Sequence, residues 1–398
     1  MKRLDFVLNL YKLLASNLLG VVLVICGLEL FLLFFYFFYD DQSIYEKARI
    51  EHIEEAEHIT SKLPQAYPHL TQKEISLLWE ETWNRGGYKY DLFCQFREPE
   101  KQGIYVNVSS NGYREVEDQG NWPPDTEMYN IFVFGGSTTF GYGVADSETI
   151  PSFLQKKLRK AGIRACVYNF GRGYFYSTQE LMLFIRLINS GIDIDSAIFI
   201  DGLNDLWHSN RTPILTGHLE DSLLEKRSIF HEEMFIDFKI SRFMRGIIRR
   251  IDSIRSDFKS LPTKHKSSHE EMMLHSINRF IKNVLCIQGI GNAFDMPIYN
   301  VLQPVPSYKY DLRYHLFVAH DEPDFQHHIF LEKGFPILEQ RFKSLKNDHL
   351  INLSHIQHDL KQNLYVDTLH YNKSFNKIIA DEICLRILPR LKKDPKSD

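Results

Sequence analysis

An α/β protein built on a parallel sheet is the fold the sequence predicts, and three observations predict it. Short apolar runs bounded by glycine recur from residue 131 onward. Segments of helical periodicity separate them. Three of the runs lead into small polar clusters: Gly135-Gly136-Ser137-Thr138, Asn169-Phe170-Gly171-Arg172-Gly173 and Gly202-Leu203-Asn204-Asp205. Strands alternating with helices of this length imply right-handed βαβ units. Parallel strands end on one shared edge, and in open α/β sheets that edge binds ligands.

The elements follow in order. Ile131 to Phe134 is apolar throughout and reads as a strand buried on both faces. Ser147 is the expected N-cap of a helix to about Ala161, with Pro151 in its first turn and Gly162 beyond its end. Ala165 to Asn169 is a second strand. Ser177 is the expected cap of a helix carrying Leu181, Phe184, Ile185 and Ile188, closed by Gly191. Ala197 to Ile200 is a third strand. Residues 208–295 break the rhythm; they are charged and mostly helical in pattern, and read as a helical insertion. Pro297 to Val301 resumes the strand pattern. A helix near 329–347, a strand near 349–354 and a helix from Lys373 to about Leu388 complete the domain, expected over 129–398.

Residues 18–39, LLGVVLVICGLELFLLFFYFFY, carry one charge, Glu29. An apolar run of that length spans a hydrocarbon core of about 30 Å. It ends in aromatics and Asp40-Asp41 without the small residues of a cleavage site, so an uncleaved transmembrane signal anchor is expected. Lys2, Arg3 and Lys12 precede it, which places residues 1–17 in the cytoplasm and the rest of the chain outside. Residues 40–128 are then a membrane-proximal stalk and a turn-rich lead-in. Glu29 is either a tolerated, protonated carboxyl or the mark of a partner protein in the envelope, and the 208–295 insertion offers a second docking surface.

A net charge of −4 gives no electrostatic case for nucleic acid. Cys26, Cys94, Cys166, Cys286 and Cys384 stand too far apart for a metal motif. Buried free thiols are expected, although four of them lie where pairing outside the cytoplasm is open. The pairs His327-His328 and His355/His358 join no carboxylate signature, and no metal or cofactor is expected.

The turn after the first strand lacks the Lys-Ser/Thr pair of a phosphate loop and the G-x-G-x-x-G of a dinucleotide site. It fits a nucleophilic serine exposed on a tight turn. A serine hydroxyl needs a base to take its proton, and His370 is the candidate. Asp367, three residues earlier, is placed to fix the imidazole tautomer. A tetrahedral oxyanion needs preorganised donors, and the backbone N–H of Ser137, one near Gly173, and the Asn204 side-chain amide are candidates.

At these residues the sequence resembles the SGNH (GDSL-type) hydrolases, whose four ordered blocks contain Ser, Gly, Asn and His. Here the blocks read GGST, NFGRG, GLND and DTLH, covering about residues 113–390 apart from the insertion. The resemblance implies a flavodoxin-like three-layer α/β/α fold and the hydrolysis or transfer of acyl esters, commonly acetyl. With an N-terminal anchor it is similar to envelope members acting on glycans or lipids. Two departures stand out. Gly136 replaces the Asp that many members carry before the serine. A gapless alignment of the second block puts Tyr174, not Gly173, at the usual oxyanion glycine.

The expected function is therefore a membrane-anchored serine esterase acting outside the cytoplasmic membrane on an acylated glycan or lipid. An O-acyltransferase with the same triad and a non-catalytic envelope scaffold remain the alternatives. Plainer roles stay open for each residue: a turn serine at 137, a turn glycine at 173, a loop cap at Asn204 or Asp205, a surface histidine at 370. Arg172 is either a loop salt bridge or an anion-binding group.

Overall fold

The structure, a computed structural model, describes residues 11–24, 27–28, 60–83, 88–207, 269–318, 325, 328 and 330–397. The chain divides into two units, Met1–Ala56 with Leu224–Lys266 and Glu57–Leu223 with Ser267–Asp398. In the first, residues 11–24 and 27–28 are described and are helical. No helix among the described residues is long and apolar enough to cross a membrane. Most of the expected span at 18–39 lies outside the described residues, as do Glu29, residues 40–59 and the insertion from 208 to 268.

In the second unit, helix α1 (Gln72–Trp83) precedes a hairpin of β1 (Lys89–Asp91) and β2 (Gln95–Arg97). The central sheet holds β3 (Tyr129–Gly135), β4 (Ala165–Gly171), β5 (Ser196–Asp201), β6 (Ile298–Leu302) and β7 (Leu350–Asn352). All its pairings are parallel, in the spatial order β4-β3-β5-β6-β7. Numbering these five strands along the chain gives 2-1-3-4-5, the flavodoxin-like order, whose switch point lies between β3 and β5. The helices are α2 (Ser137–Phe140), α3 (Ile150–Lys160), α4 (Ser177–Asn189), α5 (Leu203–Trp207), α6 (His269–Ala293), α7 (Leu331–Ser344) and α8 (Lys373–Leu391).

Alternation along the strands sorts the core into layers, because successive side chains point to opposite faces. Ile131, Val133, Ile198 and Ile200 meet Leu154 and Leu158 of α3 and Ile379, Ile383 and Ile387 of α8. Phe132, Phe134, Phe170 and Phe199 face the other way, onto Leu183 and Phe184 of α4 and Ile287 of α6. Phe134 stacks on Phe199 at 4.7 Å and Phe132 on Phe170 at 5.0 Å. Such pairs add roughly 0.5–1.5 kcal/mol beyond their buried area. They fasten β3, the strand that carries the serine turn, to both its neighbours.

The structure corrects several expectations. Helix α3 starts at Ile150, and Thr149 rather than Ser147 caps it, its hydroxyl accepting the Ser152 N–H at 3.2 Å. Ser147 lies in the preceding 3₁₀ turn Asp146–Glu148. Ser177 is the first residue of α4, not its cap, and its hydroxyl donates to Asp205 Oδ1 at 2.5 Å. Helix α8 runs past Leu388 because Ile387 and Leu391, one turn apart, both bury in the core. The insertion does not extend to 295: α6 buries Met273, Ile277, Phe280 and Val284 against α5 and α7, so it is a crossover helix of the sheet. Nor is the segment before 129 a separate lead-in. Leu63, Tyr67, Ile75, Leu78, Val106 and Val108 pack with Phe140, Tyr142 and Val366. Glu81 of α1 accepts the N–H groups of Ile104, Tyr105 and Val106 at 2.7–2.9 Å, tying α1 to that strap.

Candidate active site

Chain order, turn geometry and the sheet edge bring the predicted residues together. Strand β3 ends at Gly135, and Ser137 opens the short helix α2. Within that turn Ser137 is half-exposed while Gly135, Gly136, Thr138 and Thr139 are buried. Its Oγ lies 2.8 Å from His370 Nε2, across 233 positions of sequence. His370 Nδ1 lies 2.6 Å from Asp367 Oδ2. The second Asp367 oxygen accepts the N–H groups of Leu369 and His370 at 2.8 and 2.7 Å.

These contacts fix the charge state of Asp367. Burial alone would raise its pKa. The charge of His370, its ring and backbone hydrogen bonds, and the Leu369 N–H outweigh burial, so the carboxyl lies below its usual range. An ionised Asp367 accepts the proton on Nδ1 and leaves Nε2 as the basic nitrogen facing Ser137.

Gly136 is required by a close approach. A Cβ there would lie 2.5 Å from Asn204 Nδ2, which is packed over the turn and donates to the Phe175 carbonyl at 2.7 Å. Gly136 thus lets the Asn204 amide come close to the serine turn. As the first residue of α2, Ser137 has an N–H with no intrahelical acceptor.

Gly173 does not fit its expected role. Its N–H donates to Glu98 Oε1 at 2.6 Å, so this donor is engaged by a buried carboxylate. Tyr174 follows at φ 61°, in the left-handed region that glycine enters freely. Arg172 is buried and pairs with Asp91 of the hairpin, with the Phe96 carbonyl at 3.3 Å; it is the loop salt bridge of the two readings. Asp205 is structural as well: it accepts from Ser177, while its carbonyl accepts from Arg279 at 2.9 Å.

Several residues at the site escaped the sequence reading. Tyr142 and Trp83 flank the imidazole, each ring 5.3 Å from that of His370. Arg114, fully buried, donates to the carbonyls of Phe140, Gly141 and Val144 at 2.6–3.0 Å and to Asp146 at 2.7 Å. It closes the C-terminal end of α2. Asn169 Nδ2 reaches the Thr139 and Phe140 carbonyls at 3.2 and 3.3 Å. Asn169 stands in a block already singled out, so its position was a usable signal. Trp83, Glu98 and Arg114 carry none, because they come from a segment with no periodicity linking it to the sheet. Among the described residues, no group of three His, Cys, Asp or Glu could hold a metal ion. Cys94, Cys166, Cys286 and Cys384 are free thiols.

A Ser–His–Asp chain at the carboxyl edge of a doubly wound parallel sheet is the class of site this fold presents. No protein-family model and no curated protein matches the chain. Solved structures do. The chain is similar to a lipase/acylhydrolase from Enterococcus faecalis at 15% identity, covering 66% of this chain and 97% of that one, with a TM-score of 0.36. It is similar to the psychrotrophic esterase EstA from Pseudoalteromonas sp. at 14% identity, with 66% and 98% covered and a TM-score of 0.33. It is also similar to the acetyl xylan esterase AlAXEase at 12% identity, with 65% and 99% covered and a TM-score of 0.35.

Proposed function

We propose that the protein is a serine ester hydrolase of the SGNH type. The supporting observation is the continuous hydrogen-bonded line Asp367–His370–Ser137, at 2.6 and 2.8 Å. Ser137 Oγ attacks the ester carbonyl while His370 Nε2 takes its proton. The imidazolium that forms is held by ionised Asp367. The Ser137 N–H and the Asn204 Nδ2 amide stabilise the oxyanion. His370 then returns the proton to the leaving alcohol, which departs and leaves an acyl-enzyme. Water, activated by the same imidazole, releases the acid and restores the serine. A sugar hydroxyl in place of water would make the protein an O-acyltransferase.

The substrate class is the one the resemblance to SGNH hydrolases implies: an O-acyl, commonly acetyl, ester on an envelope glycan or lipid. Residues 18–39 hold the chain in the cytoplasmic membrane with the sheet domain on the outer side. The test is a fluorophosphonate probe on the full-length protein in detergent, beside Ser137→Ala and His370→Ala. Labelling that needs both residues supports the reading; a folded wild-type protein that takes no label rejects it. Product analysis with an acetylated oligosaccharide, with and without an acceptor sugar, separates hydrolysis from transfer.

A further inference from the structure

We infer that Glu98 is a positioning residue of this active site, holding the Gly173 turn and the Tyr142 ring in place by hydrogen bonds. The inference rests on the esterase reading above and concerns a residue outside the four blocks.

Glu98 is buried, and its Oε1 accepts two bonds: the Gly173 N–H at 2.6 Å and the Tyr142 hydroxyl at 3.0 Å. Each partner leads to the chemistry. The Tyr142 ring lies against His370 at 5.3 Å. Gly173 lies in the turn that continues to Phe175, whose carbonyl accepts the Asn204 amide at 2.7 Å. One carboxylate oxygen thus links the base on one side to the candidate oxyanion donor on the other.

The turn needs to be held. Tyr174 sits at φ 61°, a conformation that a residue with a Cβ resists. The restraints come from the segment around the hairpin: Asp91 on Arg172 and Glu98 on Gly173. The space is also closed, since a Cβ on Gly173 would lie 2.1 Å from the Tyr142 hydroxyl oxygen. A buried backbone N–H without an acceptor carries a desolvation penalty, so the Gly173 turn depends on an oxygen at this position.

The assay is steady-state hydrolysis of p-nitrophenyl acetate by the full-length protein, with Ser137→Ala as the blank and thermal melting as the check on folding. Misplacing a reacting group by ~1 Å costs about 10²-fold, so Glu98→Ala should lower kcat by roughly 10- to 10²-fold with KM little changed. Glu98→Gln keeps one oxygen that can accept from both Gly173 and Tyr142, and should hold kcat within about threefold of wild type. Tyr142→Phe loses one of the two bonds and should fall between them.

A folded Glu98→Ala protein with wild-type kcat overturns the inference. So does a folded Glu98→Gln protein as impaired as Glu98→Ala, since charge rather than hydrogen bonding would then matter. If Glu98→Ala does not fold, the other two decide. Glu98→Gln near wild type with a several-fold loss in Tyr142→Phe supports the inference; a silent Tyr142→Phe or an inactive, folded Glu98→Gln rejects it. A wild-type rate no higher than that of Ser137→Ala rejects the esterase reading itself, and the inference falls with it.

Discussion

Gly136→Ala is the substitution that asks most of the site for the least chemical change. Gly136 sits at φ −79°, which alanine adopts without strain, so any effect is steric. The added Cβ would lie 2.5 Å from Asn204 Nδ2, where ordinary contact begins at 3.4 Å. The amide must therefore retreat by 3.4 − 2.5 = 0.9 Å, or the turn must shift by as much. Retreat strains the 2.7 Å bond from Asn204 to the Phe175 carbonyl. Loss of that bond costs about 0.5–1.5 kcal/mol of stability. If Asn204 is an oxyanion donor, displacing it costs about 10²- to 10³-fold in kcat.

A double-mutant cycle separates this route from general damage. Asn204→Ala should lose the same 10²- to 10³-fold by itself. It also removes the closest atom that Cβ136 strikes and leaves only the Phe175 carbonyl at 3.1 Å, so Gly136→Ala in that background should add much less than it does alone. The coupling should thus account for most of the kcat effect of Gly136→Ala, well beyond the few tenths of a kcal/mol seen for independent sites. Steady-state kinetics on the four proteins give the answer. Wild-type kcat in Gly136→Ala, or additive losses in the double variant, would refute the placement of Asn204 over the serine turn.

Three further outcomes are expected. Asp367→Asn should leave the fold intact and lower kcat by about 10⁴-fold, because the amide oxygen stays with the Leu369 and His370 N–H groups and the NH2 donates to Nδ1, which leaves the ring proton on Nε2; a loss under tenfold at neutral pH would count against the triad. Arg114→Met leaves the Phe140, Gly141 and Val144 carbonyls without this donor, while Asp146 keeps Asn107, and should cost about 1–3 kcal/mol for each unpaired buried carbonyl in chemical denaturation; an unchanged midpoint would contradict the role given to Arg114. Glu180 is raised well above its ordinary 4.5, first by burial and then by Asp201 and Asp205. Its protonated form is the one the native state favours, so that stability is present below pH 4.5 and is lost as pH rises. Melting temperatures of Glu180→Gln should therefore gain on wild type from pH 5 to 8, and parallel curves would rule this out.

Ser137, Asn204, Asp367 and His370 were legible because each stands in a short local pattern. The strands were legible for a similar reason. Ile131 to Phe134 has no polar residue on either face, and its shortness and the glycines after it fit a strand covered on both sides. Order along the chain then fixes the edge, since parallel strands must all point the same way. His370 could be paired with Ser137 across 233 positions because topology, not proximity in sequence, places both at one edge.

The support around those residues was not legible, and the reason is physical. Arg114, Glu98 and Trp83 act through single contacts made only after folding, to carbonyls, an N–H and a ring. A backbone N–H or C=O has no sequence identity, so a side chain that serves one leaves no paired residue to find. Gly173 shows the consequence. Its sequence marks it as an open N–H in a glycine turn, yet its partner is decided by a glutamate 75 residues upstream. Helix α6 shows the same limit at larger scale. Its charged surface resembles the residues before it, and only the buried row Met273, Ile277, Phe280 and Val284 makes it part of the sheet domain. An apolar row on a helix says that something covers it, and the covering elements, α5 and α7, lie on either side of it in the chain. What the sequence specifies locally is therefore the reacting group and its turn; what holds that turn to within an ångström is specified by pairings that have no local signature.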